Sequence, residues 1–131
     1  MQVTLQTTYA VRCMVYLKDQ GGGVVPIKRI ASDKIIPAQY LSKIVQNLRK
    51  HGLTRSARGL SGGIALARAP EDISLYDVLK ATSGTKTSLK TPCAQAGRLC
   101  PSSNACRIRK VWTGLDKVLT LQFRATKLSQ L

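Results

Sequence analysis

Between residues 4 and 19 the apolar side chains Ala10, Cys13, Met14 and Leu17 recur at i, i+3, i+4 and i+7, the spacing of one helix face. Gly21-Gly22-Gly23 ends that helix. Pro26 opens a second, shorter helix reaching Lys34, because proline at the first helical position forfeits no hydrogen bond. Ile27, Ile30 and Ala31 are its inward side chains. Ile35-Ile36-Pro37 reads as a turn, since Pro37 disfavours helical backbone at Ile36. A third helix runs from Pro37 to His51 and stops at Gly52. Leu41, Ile44, Val45 and Leu48 form its apolar stripe. Its opposite face carries Gln39, Ser42, Lys43, Gln46 and Lys50, with no large apolar group.

The period then changes. Residues 53–57 and 64–68 read as two short strands joined by the turn Arg58-Gly59-Leu60-Ser61-Gly62-Gly63, which makes a hairpin. Pro70-Glu71-Asp72 separates the hairpin from a helix over 75–82. Ser74 and Asp77 form a capping box at its start, and Leu75, Val78 and Leu79 pack inward. Residues 83–105 are rich in Ser, Thr, Gly and Pro and read as a long irregular loop. A last helix spans about 104–127, with Ile108, Trp112, Leu115, Val118 and Leu119 on its apolar side. Three units follow: 1–82, 83–106 and 107–131. The fold class expected is mostly α with a small β-hairpin, a winged helix-turn-helix followed by a long C-terminal helix.

Charge narrows the function. The 131 residues hold 21 Lys and Arg against 6 Asp and Glu, a formal net charge of +15. Such a chain repels itself, and a polyanion relieves the repulsion. Only 5% of residues are aromatic, so the stacking surfaces that grip single strands are scarce. No stretch approaches a membrane span, and Arg12 and Lys18 interrupt the one candidate leader, so a cytoplasmic protein is expected. With one histidine and six acidic residues, and no nucleophile–base pairing, an enzyme is not expected.

Double-stranded DNA is the partner that this order of elements suits. In a winged helix-turn-helix the second helix of the motif enters the major groove. That helix is 37–51 here. Gln39, Ser42, Lys43 and Gln46 are the candidates for base edges, since glutamine pairs with adenine and lysine with guanine. Lys28, Arg29, Arg49, Lys50 and Arg55 are placed to neutralise phosphates. Arg58, at the hairpin tip, suits a minor groove. His51 reads as a cap on the helix C-terminus rather than a ligand.

Cys93, Cys100 and Cys106 form a second constellation within the 83–106 segment. In a reducing compartment clustered thiols point to metal or redox chemistry. Three soft thiolates suit an iron–sulfur cluster; a zinc site or a dithiol redox switch is also compatible with the spacing. Arg98, Arg107 and Arg109 favour thiolate and an anionic cluster. Cys13, on the apolar stripe of the first helix, reads as a core residue.

The chain resembles the bacterial Rrf-type regulators, the group typified by IscR, NsrR and RirA. The resemblance rests on Thr7-Thr8-Tyr9-Ala10-Val11-Arg12, Tyr40-Leu41, Leu48-Arg49-Lys50-His51-Gly52-Leu53, the Arg58–Gly63 turn, residues 66–79, and the three cysteines followed by Trp112. It implies a homodimer joined through the C-terminal helix, reading a partly palindromic site. It also implies a 2Fe–2S or 4Fe–4S cluster on Cys93, Cys100 and Cys106 that alters DNA affinity, in a regulator expected to act as a repressor. Arg58 maps onto a wing arginine that enters the minor groove. Tyr40, Ser61 and Gly62 lie in the matching stretches and join the DNA-binding set. Two departures matter: Arg109 stands where one variant has a ligand histidine, and Thr8 where another has an acidic residue. The fourth ligand is therefore unassigned.

Overall fold

The computed structural model describes residues 3–84 and 106–131. In chain order these form α1 (Leu5–Asp19), α2 (Ile27–Asp33), α3 (Ala38–Lys50), β1 (Thr54–Ala57), β2 (Gly63–Leu66), α4 (Leu75–Ser83) and α5 (Arg107–Ala125). Short 3-10 turns at Pro70–Asp72 and Leu128–Gln130 precede α4 and follow α5. The expected architecture, mostly helical with one two-stranded antiparallel hairpin, is the observed one.

Two of the helices, α1 and α4, start where a side chain satisfies free N–H groups. Thr4 caps α1, its Oγ1 accepting from the Thr7 N–H at 3.2 Å. Ser74 and Asp77 form the expected reciprocal box on α4: the Asp77 N–H donates to Ser74 Oγ (3.2 Å) and the Ser74 N–H to Asp77 Oδ2 (2.9 Å). Burial alone would raise the Asp77 carboxyl. The Ser74 hydrogen bonds and the charges of Arg68 and Lys127 outweigh it and hold the group below its ordinary range. Pro26 and Pro37 differ from expectation by one position. Both have extended backbone and cap their helices instead of opening them.

One core holds these elements together. Ala10, Cys13, Met14 and Leu17 of α1 meet Ile30 of α2, Leu41, Ile44 and Leu48 of α3, and Val78 of α4. The apolar stripes read from periodicity are thus buried, except for Ile27 and Leu75, which are half-buried, and α5, discussed below. The last residues were not expected in this core. The helix predicted to Lys127 stops at Ala125, and Leu128 returns to the core almost wholly buried. Its N–H donates to the Ile73 carbonyl at 2.8 Å, and the Leu75 N–H donates to the Thr126 carbonyl at 2.9 Å.

The turn between α2 and α3 carries strain that the sequence did not signal. Ile36 is non-helical as expected, and Ile35 before it takes a left-handed backbone, at φ +53°. The Ile36 N–H donates to the Ala31 carbonyl (2.9 Å), closing a left-handed helix ending that normally uses glycine. A β-branched residue is costly there, and the Ile35 side chain is 86% exposed, so packing returns little. An Ile35→Gly chain is expected to gain about 1 kcal/mol by relief of this strain, read as a rise of a few degrees in Tm. An unchanged or lower Tm would show that the turn is not strained.

Candidate nucleic-acid interface and cysteine site

α3 is divided sharply between two faces. Leu41, Ile44, Val45 and Leu48 are buried, while Gln39, Lys43, Gln46, Arg49 and Lys50 are exposed. The structure therefore places five of the sequence-nominated residues on one solvent-facing helix surface. Ser42 is half-buried and its hydroxyl donates to the Ala38 carbonyl at 2.9 Å, so it is engaged within the helix. Tyr40 is also half-buried. Its ring meets Tyr9 edge-on, with centroids 5.9 Å apart and planes at 79°. That geometry makes Tyr40 a contact between α1 and α3 as well as a surface residue. At the far end, His51 Nδ1 lies 2.9 Å from the Asn47 carbonyl oxygen, so the ring caps the helix end as expected.

The hairpin leaves α3 after a three-residue link. Leu53 is fully buried and its N–H donates to the Leu48 carbonyl (3.0 Å), fixing the hairpin to the helix end. β1 and β2 pair from Thr54↔Leu66 to Ala57↔Gly63. Arg58, Leu60 and Ser61 are exposed in the turn beyond that register. Gly59 has φ +111°, a conformation that side-chain-bearing residues rarely adopt. Gly62 closes the turn, its N–H donating to the Gly59 carbonyl at 2.9 Å. The hairpin is also tied to the α1–α2 connection by a bridge the sequence did not reveal. Val25 and Ile64 exchange two backbone hydrogen bonds, of 2.8 and 2.9 Å. Gly63 sits against this bridge with no room for a Cβ before the Val25 carbonyl oxygen.

The cations on α2 are unequal. Lys28 is exposed and joins no ion pair among the described residues. Arg29 lies 3.9 Å from Asp33, whose carboxylate also accepts the Tyr16 hydroxyl at 2.5 Å. Arg29 is thus part of a contact joining α1 to α2, and Lys28 is the cleaner phosphate candidate.

Of the three loop cysteines, Cys93 and Cys100 lie outside the described residues, as does Arg98. Cys106 is the N-cap of α5, half-buried, and its thiol makes no capping hydrogen bond. The helix N-terminus carries partial positive charge, and Arg107 and Lys110 are exposed beside it. This donor fits a soft metal centre by its chemistry and its electrostatics. Among the described residues no group of three His, Cys, Asp or Glu side chains is assembled to hold a metal. Thr8 and Arg109, at the two positions where a fourth ligand was sought, contribute neither a carboxylate nor an imidazole.

Cys13 is fully buried, as expected for a core residue, and desolvation pushes its thiol up to about 12 from 9.0. The sign follows directly. Above 9.0 the unfolded chain loses its thiol proton while the folded chain keeps it. Stability therefore falls as pH rises through that window, with a slope approaching about 1.4 kcal/mol per pH unit. A Cys13→Ala chain is expected to show a flatter alkaline limb in denaturant titrations run at increasing pH. An equally steep limb would remove the assignment.

No helix among the described residues is long and apolar enough to cross a membrane.

Comparison with known proteins adds what geometry cannot. The model of the Rrf2 family, described as an iron-dependent transcriptional regulator, matches residues 3–131. The transcriptional regulator NsrR of Halalkalibacterium halodurans is 32% identical over 125 residues, covering 95% of this chain and 83% of that protein. The solved structure of T. potens IscR is similar with a TM-score of 0.78 at 28% identity, over 98% of this chain and 84% of its own. The oxidised form of Staphylococcus aureus CymR gives 0.73 at 27%, over 98% and 93%. With matches that run through the helix-turn-helix, the hairpin and α5 alike, the chain belongs to the Rrf2 family of transcriptional regulators.

Proposed function

We propose that this chain is a homodimeric DNA-binding repressor whose affinity for its operator follows the state of an iron–sulfur cluster held by Cys93, Cys100 and Cys106. The observation that carries the DNA reading is the division of α3: one face wholly committed to the core, the other exposed, polar and basic. Gln39, Lys43 and Gln46 read base edges from that face, with Tyr40 and Ser42 at its margin. Lys28, Arg49, Lys50 and Arg55 neutralise phosphates. Arg58 enters the minor groove from the wing, with Ser61 and Gly62 at the backbone.

The cysteine reading rests on the donor set and on the relatives named NsrR and IscR. Bound, a cluster supplies a centre sensitive to iron supply, oxidation or nitric oxide. Cys106 ties that centre to the first residue of α5, so the arrangement of the loop bears directly on the dimerisation helix. The loop state that binds the cluster more tightly is the state its binding populates.

Anaerobic reconstitution with iron and sulfide is the test. The wild-type chain is expected to gain visible thiolate-to-iron absorption. Cys93→Ala, Cys100→Ala and Cys106→Ala chains should lose it, while Cys13→Ala should keep it. A colourless wild-type protein removes the cluster. The neighbour solved in an oxidised form favours one alternative, a disulfide switch within the same loop. That reading predicts loss of one hydrogen pair from the intact mass on oxidation, without metal.

The DNA arm is separate. Arg58→Ala is expected to weaken specific binding, whereas Lys28→Ala should reduce the salt slope by ~0.9 for the lost phosphate contact. An Arg58→Ala chain with unaltered operator affinity would take the wing out of the interface.

A further inference from the structure

The apex of the hairpin carries an apolar side chain that neither the core nor the role given to Arg58 uses. Leu60 has a relative exposure of 111%, against 86% for Ile35, the next among the described large apolar residues. Single exposed leucines are common on protein surfaces. This one differs in where it stands and how it is held. Leu60 and Ser61 are the two central residues of the turn that the Gly62 N–H closes on the Gly59 carbonyl at 2.9 Å. Leucine gives such a turn nothing, since Gly, Pro, Asn, Asp and Ser serve it better. The chain doubles back tightly beneath it. A Cβ at Gly62 would stand 2.8 Å from the Gly59 carbonyl oxygen and 2.9 Å from that of Ala57. The apex is therefore a narrow, closed turn, and nothing in the chain described covers Leu60.

The surroundings point to the partner. Residues 53–68 hold Arg55, Arg58 and Arg68 and no Asp or Glu. Arg55 and Arg58 are exposed on the same hairpin as Leu60. An apolar tip on a cationic, acid-free hairpin fits a polyanion with an apolar interior. Duplex DNA is one, with phosphates outside and stacked bases within. A lipid surface shares part of that chemistry, but one leucine buries too little apolar area to anchor a hairpin there. We propose that Leu60 is a wedge that enters the minor groove beside Arg58, parts one base step and kinks the duplex. The inference rests on the DNA-binding reading above. Leucine is among the side chains that act as such wedges, and unstacking costs least at the flexible pyrimidine–purine steps, TA and CA/TG. Leu60 thereby adds a preference for such a step under the wing, where no hydrogen bond to a base edge is needed.

The probe is a duplex recovered by the full wild-type chain from a random-sequence pool, remade as a set in which 2-aminopurine replaces one adenine at a time. This base brightens when it loses a stacking neighbour. At saturating wild-type protein, a base under the wing is expected to brighten. Leu60→Ala, brought to the same saturation, should lose the rise, and Leu60→Met should keep it. Replacing the brightened step by AA should weaken wild-type binding roughly tenfold and leave Leu60→Ala nearly unchanged. Leu60 is exposed, so its replacement leaves the fold intact, which circular dichroism checks. Wild-type complexes in which no base brightens overturn the wedge, and so does a rise that survives in Leu60→Ala. A Leu60→Ala chain that brightens its duplex as before but no longer self-associates in sedimentation assigns the leucine to a second copy instead. Failure to recover any duplex defeats the DNA reading, and the wedge with it; binding without brightening defeats the wedge alone.

Discussion

A Gly63→Ala chain is expected to lose about 2–4 kcal/mol of stability, and most of its affinity for duplex DNA with it. A Cβ at Gly63 meets the Val25 carbonyl oxygen and carbon, which are backbone atoms and have no rotamer by which to move away. Relief comes only by separating β2 from the α1–α2 connection, which breaks both hydrogen bonds of the Val25–Ile64 bridge. The hairpin then keeps its pairing with β1 but loses the tie that aims its tip. Thermal denaturation and an anisotropy titration measure the two effects. A useful contrast is Gly114→Ala in α5. A Cβ there meets nothing within 4 Å, and removing a glycine from a helix interior adds about 1 kcal/mol. Should Gly63→Ala prove as harmless as Gly114→Ala, the bridge does not hold the wing.

The second large effect is expected in α5. A Leu115→Glu chain should be monomeric and should bind a two-half-site operator on the order of a hundredfold more weakly, because two linked contacts become one. The argument is one of unpaid burial. α5 has 19 residues and none of them is buried. Its apolar side, Ile108, Trp112, Leu115 and Leu119, faces solvent in the single chain. A helix of that length is marginal in water without a packed face. In the proposed homodimer a second copy of the same stripe would supply one, and an isologous pairing closes on itself. Introducing a carboxylate into the stripe places like charges opposite each other in the pair. Because Leu115 is exposed in the monomer, its replacement should leave the fold of the single chain intact. Sedimentation and circular dichroism together decide the matter: a Leu115→Glu chain that stays dimeric sinks the proposed interface, and one that unfolds shows α5 to be structural in the single chain.

How much was legible in advance follows from the range of each interaction. Helices α1, α3 and α4 were readable because their signals are local. An apolar stripe repeats every three or four residues, a cap sits at the start, and a glycine follows the end. The same locality exposed the polar face of α3 and the turn at Arg58–Gly63. Five nominated residues, Gln39, Lys43, Gln46, Arg49 and Lys50, fall on that exposed face. Tyr40 and Ser42 were named on the same local grounds, yet both have contacts that the helical period does not show. Tyr40 packs across to Tyr9, and Ser42 turns back to its own helix.

Sequence by itself determined the fold class, the basic character of the chain, the division of α3 and the three-cysteine spacing, since each depends on residue identity and near neighbours. Tertiary structure alone decided which carbonyl Gly63 lies against, that Leu128 closes the core, and that Ile35 bears the left-handed backbone between α2 and α3. It also decided that the stripe of α5, unlike those of α1 and α3, finds no cover among the described residues. These facts join segments tens of residues apart, and no periodicity in a linear chain records which distant surfaces meet.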